Sequence, residues 1–221
     1  MQTQRYLYAL VEGLPSRWRP PPAGVGGSPV GVQAVRDLAL VSGTLSLSPA
    51  RTPRAEASHH EVLTGLLDAQ AVLPFRFGTV VSDTDLPAWL AARWSRMRAA
   101  MAEIRGHVEM SVRLLRLDQS PEREASGQET AAVLLRGVAE RLVERAGLPR
   151  WRYSPTGHGV NVAASVAFLV PREDVPAFLT RIAPIAARAR DVAVVPTGPW
   201  AANSFTPPLE ESTPVVAAAS A

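Results

Sequence analysis

Val72-Leu73-Pro74-Phe75-Arg76-Phe77-Gly78-Thr79-Val80-Val81 is the stretch on which the reading of this chain turns. Its branched and aromatic residues predict a buried strand over Val72–Val81, yet Pro74, Arg76 and Gly78 all work against one. Proline removes a ladder donor and glycine leaves nothing to pack, so each marks an edge, a bulge or a close approach. Strict alternation puts Leu73, Phe75 and Phe77 on one face and Arg76 on the other. If a helix covered that second face, Arg76 would need a partner, because an uncompensated buried charge is strongly destabilising. Two readings stand for Arg76. It offers its planar fork to a phosphate or carboxylate of a partner, or it forms a partly buried pair with Glu61 or Glu103. Of the structural pairs, Glu61 is the favoured one.

Upstream, Ser58-His59-His60-Glu61 has the form of a capping box, in which Ser and Glu satisfy two orphan amides reciprocally. The predicted helix then carries Val62, Leu63, Leu66 and Leu67 on one face. Before it lie a strand at Tyr6–Val11 with both faces covered, a Pro/Gly-rich loop over Pro15–Pro29, and strand candidates at Val30–Val35 and Leu38–Ser42. Downstream, Asp83 or Asp85 caps a helix with Pro87 in its first turn. Leu90, Trp94, Met97, Met101 and Ile104 recur along it at spacings of three and four. Val108–Leu117 alternates, with Val108, Met110, Val112 and Leu114 on one side and Glu109, Ser111 and Arg113 on the other. That pattern predicts a half-exposed strand.

The composition shifts at Asp118–Gly127, around Pro121, and this stretch reads as a domain junction. Beyond it come a helix from Ser126 (or earlier, from Pro121) with a stripe of Leu134 or Leu135, Val138 and Leu142. A possible strand at Trp151–Ser154, a central strand over Val160–Val170, a helix ended or kinked near Pro184, and a strand at Val192–Val195 follow. This order predicts an α+β protein of two modified ferredoxin-like units, each a sheet with helices on one face and its own core. The expected bounds are 1–118 and 119–206, with a Pro/Ser/Ala-rich tail over 207–221.

The 221 residues include no cysteine, which excludes disulfide scaffolding, thiolate metal sites and cysteine nucleophiles. All 23 basic residues are arginine, and the net charge is only +3. A pI near 10.1 therefore overstates how basic the surface is. Arginines alternate with Glu and Asp rather than forming the stripe that nucleic acid requires. No apolar run reaches the length of a bilayer span, and Met1–Arg5 leads into a strand with no cleavage pattern. These features predict a cytoplasmic protein without nucleic-acid or lipid-membrane partners.

Catalytic and metal constellations are missing. His59 and His60 are adjacent, so on a helix they point about 100° apart, away from one shared metal. Their structural reading is a cap at Glu61 with two solvated rings. Gly24-Val25-Gly26-Gly27 lacks the Lys-Ser/Thr of a phosphate loop, and no nucleophile elbow is present. Trp200 and Phe205 are read as core or as an exposed interaction patch, with core favoured.

Several segments together resemble the gas vesicle protein family GvpL/GvpF. They are Tyr6-Leu7-Tyr8, His60-Glu61-Val62-Leu63 continuing into Val72–Thr79, Gly106-His107-Val108-Glu109, Asn161 through Val170, and Thr197-Gly198-Pro199-Trp200 with Ser204-Phe205. Where the family usually has Pro-Pro-Tyr before Ser-Phe, this chain has Ala201-Ala202-Asn203, which puts any contact of that tyrosine in doubt. The resemblance implies an accessory or minor structural gas vesicle protein, not an enzyme, with no cofactor. It would bind the hydrophobic major shell protein alongside other accessory proteins and support assembly in the cytoplasm, at the vesicle shell. Arg76, Phe77, Trp200 and Phe205 are the partner-binding candidates. The alternative is an α+β barrel that holds haem or another small ligand, with His107 or His158 as axial ligand.

Overall fold

The structure, a computed structural model, describes residues 3–46, 48–117, 124–155, 162–189 and 192–209, with backbone alone over 124–131. It contains two antiparallel sheets. In the first, β2 (Val30–Val35), β3 (Leu38–Leu45), β1 (Gln4–Glu12) and β4 (Ala71–Pro74) lie side by side, and β5 (Val80–Ser82) also pairs with β1. The second has the order β7 (Trp151–Ser154), β8 (Val162–Pro171), β6 (His107–Arg116), β9 (Val192–Trp200). With α3 (Glu124–Ala146) between β6 and β7 and α4 (Val175–Arg188) between β8 and β9, this is the βαββαβ order of a ferredoxin-like unit.

β6 belongs to the second sheet, where it pairs with β8 and β9. The sequence reading had placed it in the first unit, because the polar stretch around Pro121 looked like the junction. That stretch instead follows the first strand of the second sheet. Ser126 lies inside α3, which begins at Glu124. β9 runs on to Trp200, well past the expected end at Val195. α4 continues through Pro184 to Arg188.

Among the described residues the two expected cores are three. One joins the outer face of the first sheet (Tyr6, Tyr8, Val11, Val41) to α1 (Pro53–Gly65) through Val62, Leu63 and Leu66. A second joins the second sheet's Val112, Val166 and Phe168 to Leu135, Val138 and Leu142 of α3 and to Phe178 and Ile182 of α4. The third lies between the sheets. There Leu7, Leu10 and Leu73 meet Met97 and Met101 of α2 (Leu86–Ile104), together with Leu169, Ala167 and Phe205 from beyond β6. The first sheet thus carries a helix on each face. Hydrophobic runs such as Tyr6–Val11, buried throughout, are what such double coverage requires.

The quoted stretch is interrupted. β4 and β5 both pair with β1, at Ala9–Pro74 and Tyr6–Val80, and residues 75–79 loop out between them. Phe75 N–H still donates to the Tyr8 carbonyl, and Leu7 N–H to the Thr79 carbonyl, so the ladder closes around the loop. Thr79 caps the turn, its N–H and hydroxyl both donating to the Arg76 carbonyl. The loop breaks the predicted alternation: Phe75 enters the core beneath α2, whereas Phe77 packs on the other side with Tyr6 and His59.

α1 starts six residues before the predicted box. Thr52 caps it, its hydroxyl accepting from Ala55 N–H at 3.2 Å, and Pro53 supplies the preset first turn. Ser58 and Glu61 are therefore mid-helix. Residues 207–209, expected to open the tail, pack on α2: Leu209 is buried, and its carbonyl accepts from Arg93 Nε at 2.6 Å.

Candidate functional site

A cleft of about 630 Å³ opens on the face of the second sheet opposite α3 and α4. The alternation of β6 builds it, since Glu109, Ser111 and Arg113 all point to this face. Cross-strand register supplies the rest. Ser111 lies opposite Ala167, which lies opposite Arg152, and Arg113 lies opposite Ser165, which lies opposite Ser154. On the other side Ser111 pairs with Thr197 and Glu109 with Trp200. Small side chains down the middle rows leave a concavity, and Trp200, His60 and Asn203 form its upper wall. A second cleft of about 540 Å³ shares His60, Asn203 and Ser204 with the first and continues to Arg51 and Arg76. The two form one groove between the sheets.

Glu109 anchors the groove's upper wall. It is 6% exposed, and its carboxylate accepts from Ser204 N–H at 2.7 Å and from the Ser204 hydroxyl at 2.8 Å. Burial raises its pKa above the ordinary carboxylate value, and the two Ser204 bonds only partly offset this. The strand that carries Trp200 bends here. The register skips between Glu109 and Ser111, and Gly198 has φ +123 with its Cα hard against β6, so that an added Cβ would lie 2.9 Å from the Glu109 carbonyl. Only glycine combines that backbone with so close an approach. The Gly198-Pro199 peptide is cis.

Behind the groove, His59 is 3% exposed and sits among aromatic rings. It stacks on Tyr8 with centroids 5.6 Å apart and meets Phe77 edge-on at 5.8 Å. The Tyr6 hydroxyl accepts from Gly78 N–H at 3.3 Å and is hydrogen-bonded to His59 Nδ1 at 2.8 Å. Burial first, and His60 second, lower the His59 pKa to about 4. Gly78, at φ +89, brings its N–H to that hydroxyl. The Phe75–Thr79 loop is therefore latched to the Tyr6/His59 pair, which accounts for the Phe-Arg-Phe-Gly phrase.

The structure separates the four candidate partner residues. Arg76 is exposed at the loop tip and lines the groove. It does not pair with Glu61, and Glu103 instead binds Arg150 at 2.6 Å. The expected structural pair fails because alternation stops at Pro74, so no helix covers Arg76. Phe77 and Trp200 are half-buried at the groove. Phe205 is buried in the core between the sheets, with Arg150 and Arg152 over its ring at 5.9 and 6.0 Å. Sequence reasoning missed His59, taken as solvated. The signal was present, since His59 precedes Val62, Leu63 and Leu66 by three, four and seven residues, on the same helical stripe. Glu109 gave no such signal; its burial depends on a turn ninety-five residues away. His107 bonds through Nδ1 to the Arg105 carbonyl at 2.8 Å, and His158 lies outside the described residues. Among the described residues no three His, Asp or Glu side chains converge as metal ligands.

Fold and groove together define a two-sheet α+β protein with an open polar groove. The family model described as "Gas vesicle synthesis protein GvpL/GvpF" matches residues 4–148 and 121–207, and the chain belongs to this family. Its fold is that of the gas vesicle protein GvpF from Anabaena sp. PCC7120, at a TM-score of 0.75 and 18% identity over 93% of this chain and 96% of that one. GvpF from Microcystis aeruginosa is similar at 0.73 and 17%, covering 92% and 99%. Comparison with curated proteins gives no match.

Proposed function

We propose that this protein is an accessory or minor structural component of gas vesicles that binds the hydrophobic major shell protein and supports assembly of the shell. One observation carries the reading: the family match spans nearly the whole chain, including both sheets and the Trp200–Phe205 turn. The physical need is plain. Shell subunits must keep an apolar face covered until they polymerise, and a sheet edge or an apolar surface such as that of Phe77 and Trp200 can shield it. Arg76, Phe77 and Trp200 contact the partner at the groove, while Phe205 holds the turn beneath them. Sibling accessory proteins share the assembly, which takes place in the cytoplasm at the growing shell.

Affinity capture of this protein from cells expressing a complete gas vesicle cluster tests the reading. It is supported by recovery of shell protein under mild conditions. Failure to recover it, together with normal vesicles in a strain lacking this gene, overturns it.

A further inference from the structure

We infer that the groove between the two sheets is a docking site for an acidic segment of a partner protein, whose carboxylates are taken by Arg113, Arg152 and Arg76. The inference rests on the charges of the groove, independent of the proposed function, and it holds whether or not the partner is the shell protein.

The charges are unbalanced. Four guanidinium groups line the groove, on Arg51, Arg76, Arg113 and Arg152. Arg51 is bound to Glu56. Arg76, Arg113 and Arg152 are exposed, and among the described residues they form no ion pair, although Arg5, Arg17, Arg98, Arg105, Arg136 and Arg150 all do. The remaining carboxylate, Glu109, is buried and turned to Ser204. The groove thus carries three exposed cations that have no ion-pair partner among the described residues.

The geometry suits a chain better than a small anion. Two open clefts of about 630 and 540 Å³ run together through His60, Asn203 and Ser204, so the cationic positions are spread along a trough. Arg113 and Arg152 rise from β6 and β7, with β8 between them, so their cations start from separate strands. Side chains spaced along a bound segment reach both. The Ser111 and Ser165 hydroxyls line the groove beside them and suit backbone amides and carbonyls. Trp200 and Phe77 give half-buried apolar surface for intervening residues. Arg76 is preset at the far end, its carbonyl held by both donors of Thr79. Nucleic acid fits poorly, because the cations are separate rather than a stripe.

A fluorescein-labelled peptide of alternating Glu and Leu serves as probe, with its Gln/Leu counterpart, read by fluorescence anisotropy on the full chain. The acidic peptide should bind and the Gln peptide should not, with affinity falling as salt rises from about 50 to about 200 mM. Arg113→Gln with Arg152→Gln should weaken binding about tenfold or more, the scale of lost charge-assisted hydrogen bonds. Arg141→Gln with Arg188→Gln, which removes the same charge from exposed sites on α3 and α4, should change it less than about twofold. All four sites are exposed, so the melting temperature of each variant confirms its fold. Equal binding of the Gln peptide, equal losses in the two double variants, or preference for a single-stranded oligonucleotide over the acidic peptide would each overturn the inference. Capture of shell protein from cells is a separate readout, so failure here leaves the gas vesicle reading standing and failure there leaves this one.

Discussion

The two sheets are both antiparallel, but they are covered differently. The first has α1 on one face and α2 on the other, and β1 is buried from Tyr6 to Val11. The second is sealed by α3 and α4 on one face only. Its other face reaches the shared core at Ala167 and Leu169 and is then left open at Ser111, Arg113 and Ser165. The consequence is a division of labour. The first sheet closes its ladder around the Phe75–Thr79 loop, and that loop carries Arg76 to the groove. An open groove arises where a sheet lacks its second layer of helix.

The largest effect should separate the two faces of the second sheet. Phe178→Ala, in the core with Phe168 at a ring distance of 5.2 Å, should cost about 3–5 kcal/mol in denaturant unfolding. Ser165→Ala, on the open face directly opposite Arg113, should stay within about 0.5 kcal/mol. A large loss at Ser165 would mean that the open face is covered after all.

The next effect concerns the buried histidine behind the first sheet. His59 titrates near 4 in the fold and near 6.5 when exposed. Between those values the unfolded chain binds the extra proton, so stability rises with pH. The contribution of neutral His59 is complete above pH 6.5 and is lost as pH falls toward 4, in all roughly 3 kcal/mol. Unfolding free energies at the two ends of this window should show the loss, and His59→Phe should flatten it. A slope unchanged in that variant would remove His59 as its source.

Gly198→Ala tests the bend in β9. With φ +123 and a Cβ at 2.9 Å from the Glu109 carbonyl, it should lose about 1–3 kcal/mol. A neutral result would show that β9 adjusts freely and that Trp200 is not held by this approach. The smallest effect should be at the loop tip. Arg76→Ala is expected to leave stability within about 0.5 kcal/mol, because the side chain is exposed and unpaired among the described residues. A loss of several kcal/mol would restore the structural ion pair.

Regular elements were legible in the sequence wherever the pattern was local. The Val30–Val35 strand, the helix that starts after Asp85 and the alternation of β6 all stand where the residues put them, although the Asp85 side chain accepts from the Ser82 hydroxyl instead of capping the helix. Leu135, rather than Leu134, proved to be the buried member of its ambiguous pair. Of the site, the polar row Glu109, Ser111, Arg113 could be read from alternation alone. Its neighbours could not, because Arg152, Ser165 and Thr197 join it only through strand order and register. The excursion at Phe75–Thr79 was signalled by Pro74 and Gly78, but its direction depends on the Tyr6 hydroxyl, supplied by a strand seventy-two residues earlier. The polar stretch after Asp118 misled for a related reason. A chain can leave a sheet through a long polar connection and return to it, and composition records only the connection.

In the proposed function, the shell protein meets the open face of the second sheet. A photo-reactive side chain at position 152, on the open face of the second sheet, and another at 141, on α3 behind it, can be compared in cells that express a complete gas vesicle cluster. The account predicts shell-protein adducts from position 152 and none above background from 141. Adducts confined to 141 would contradict it.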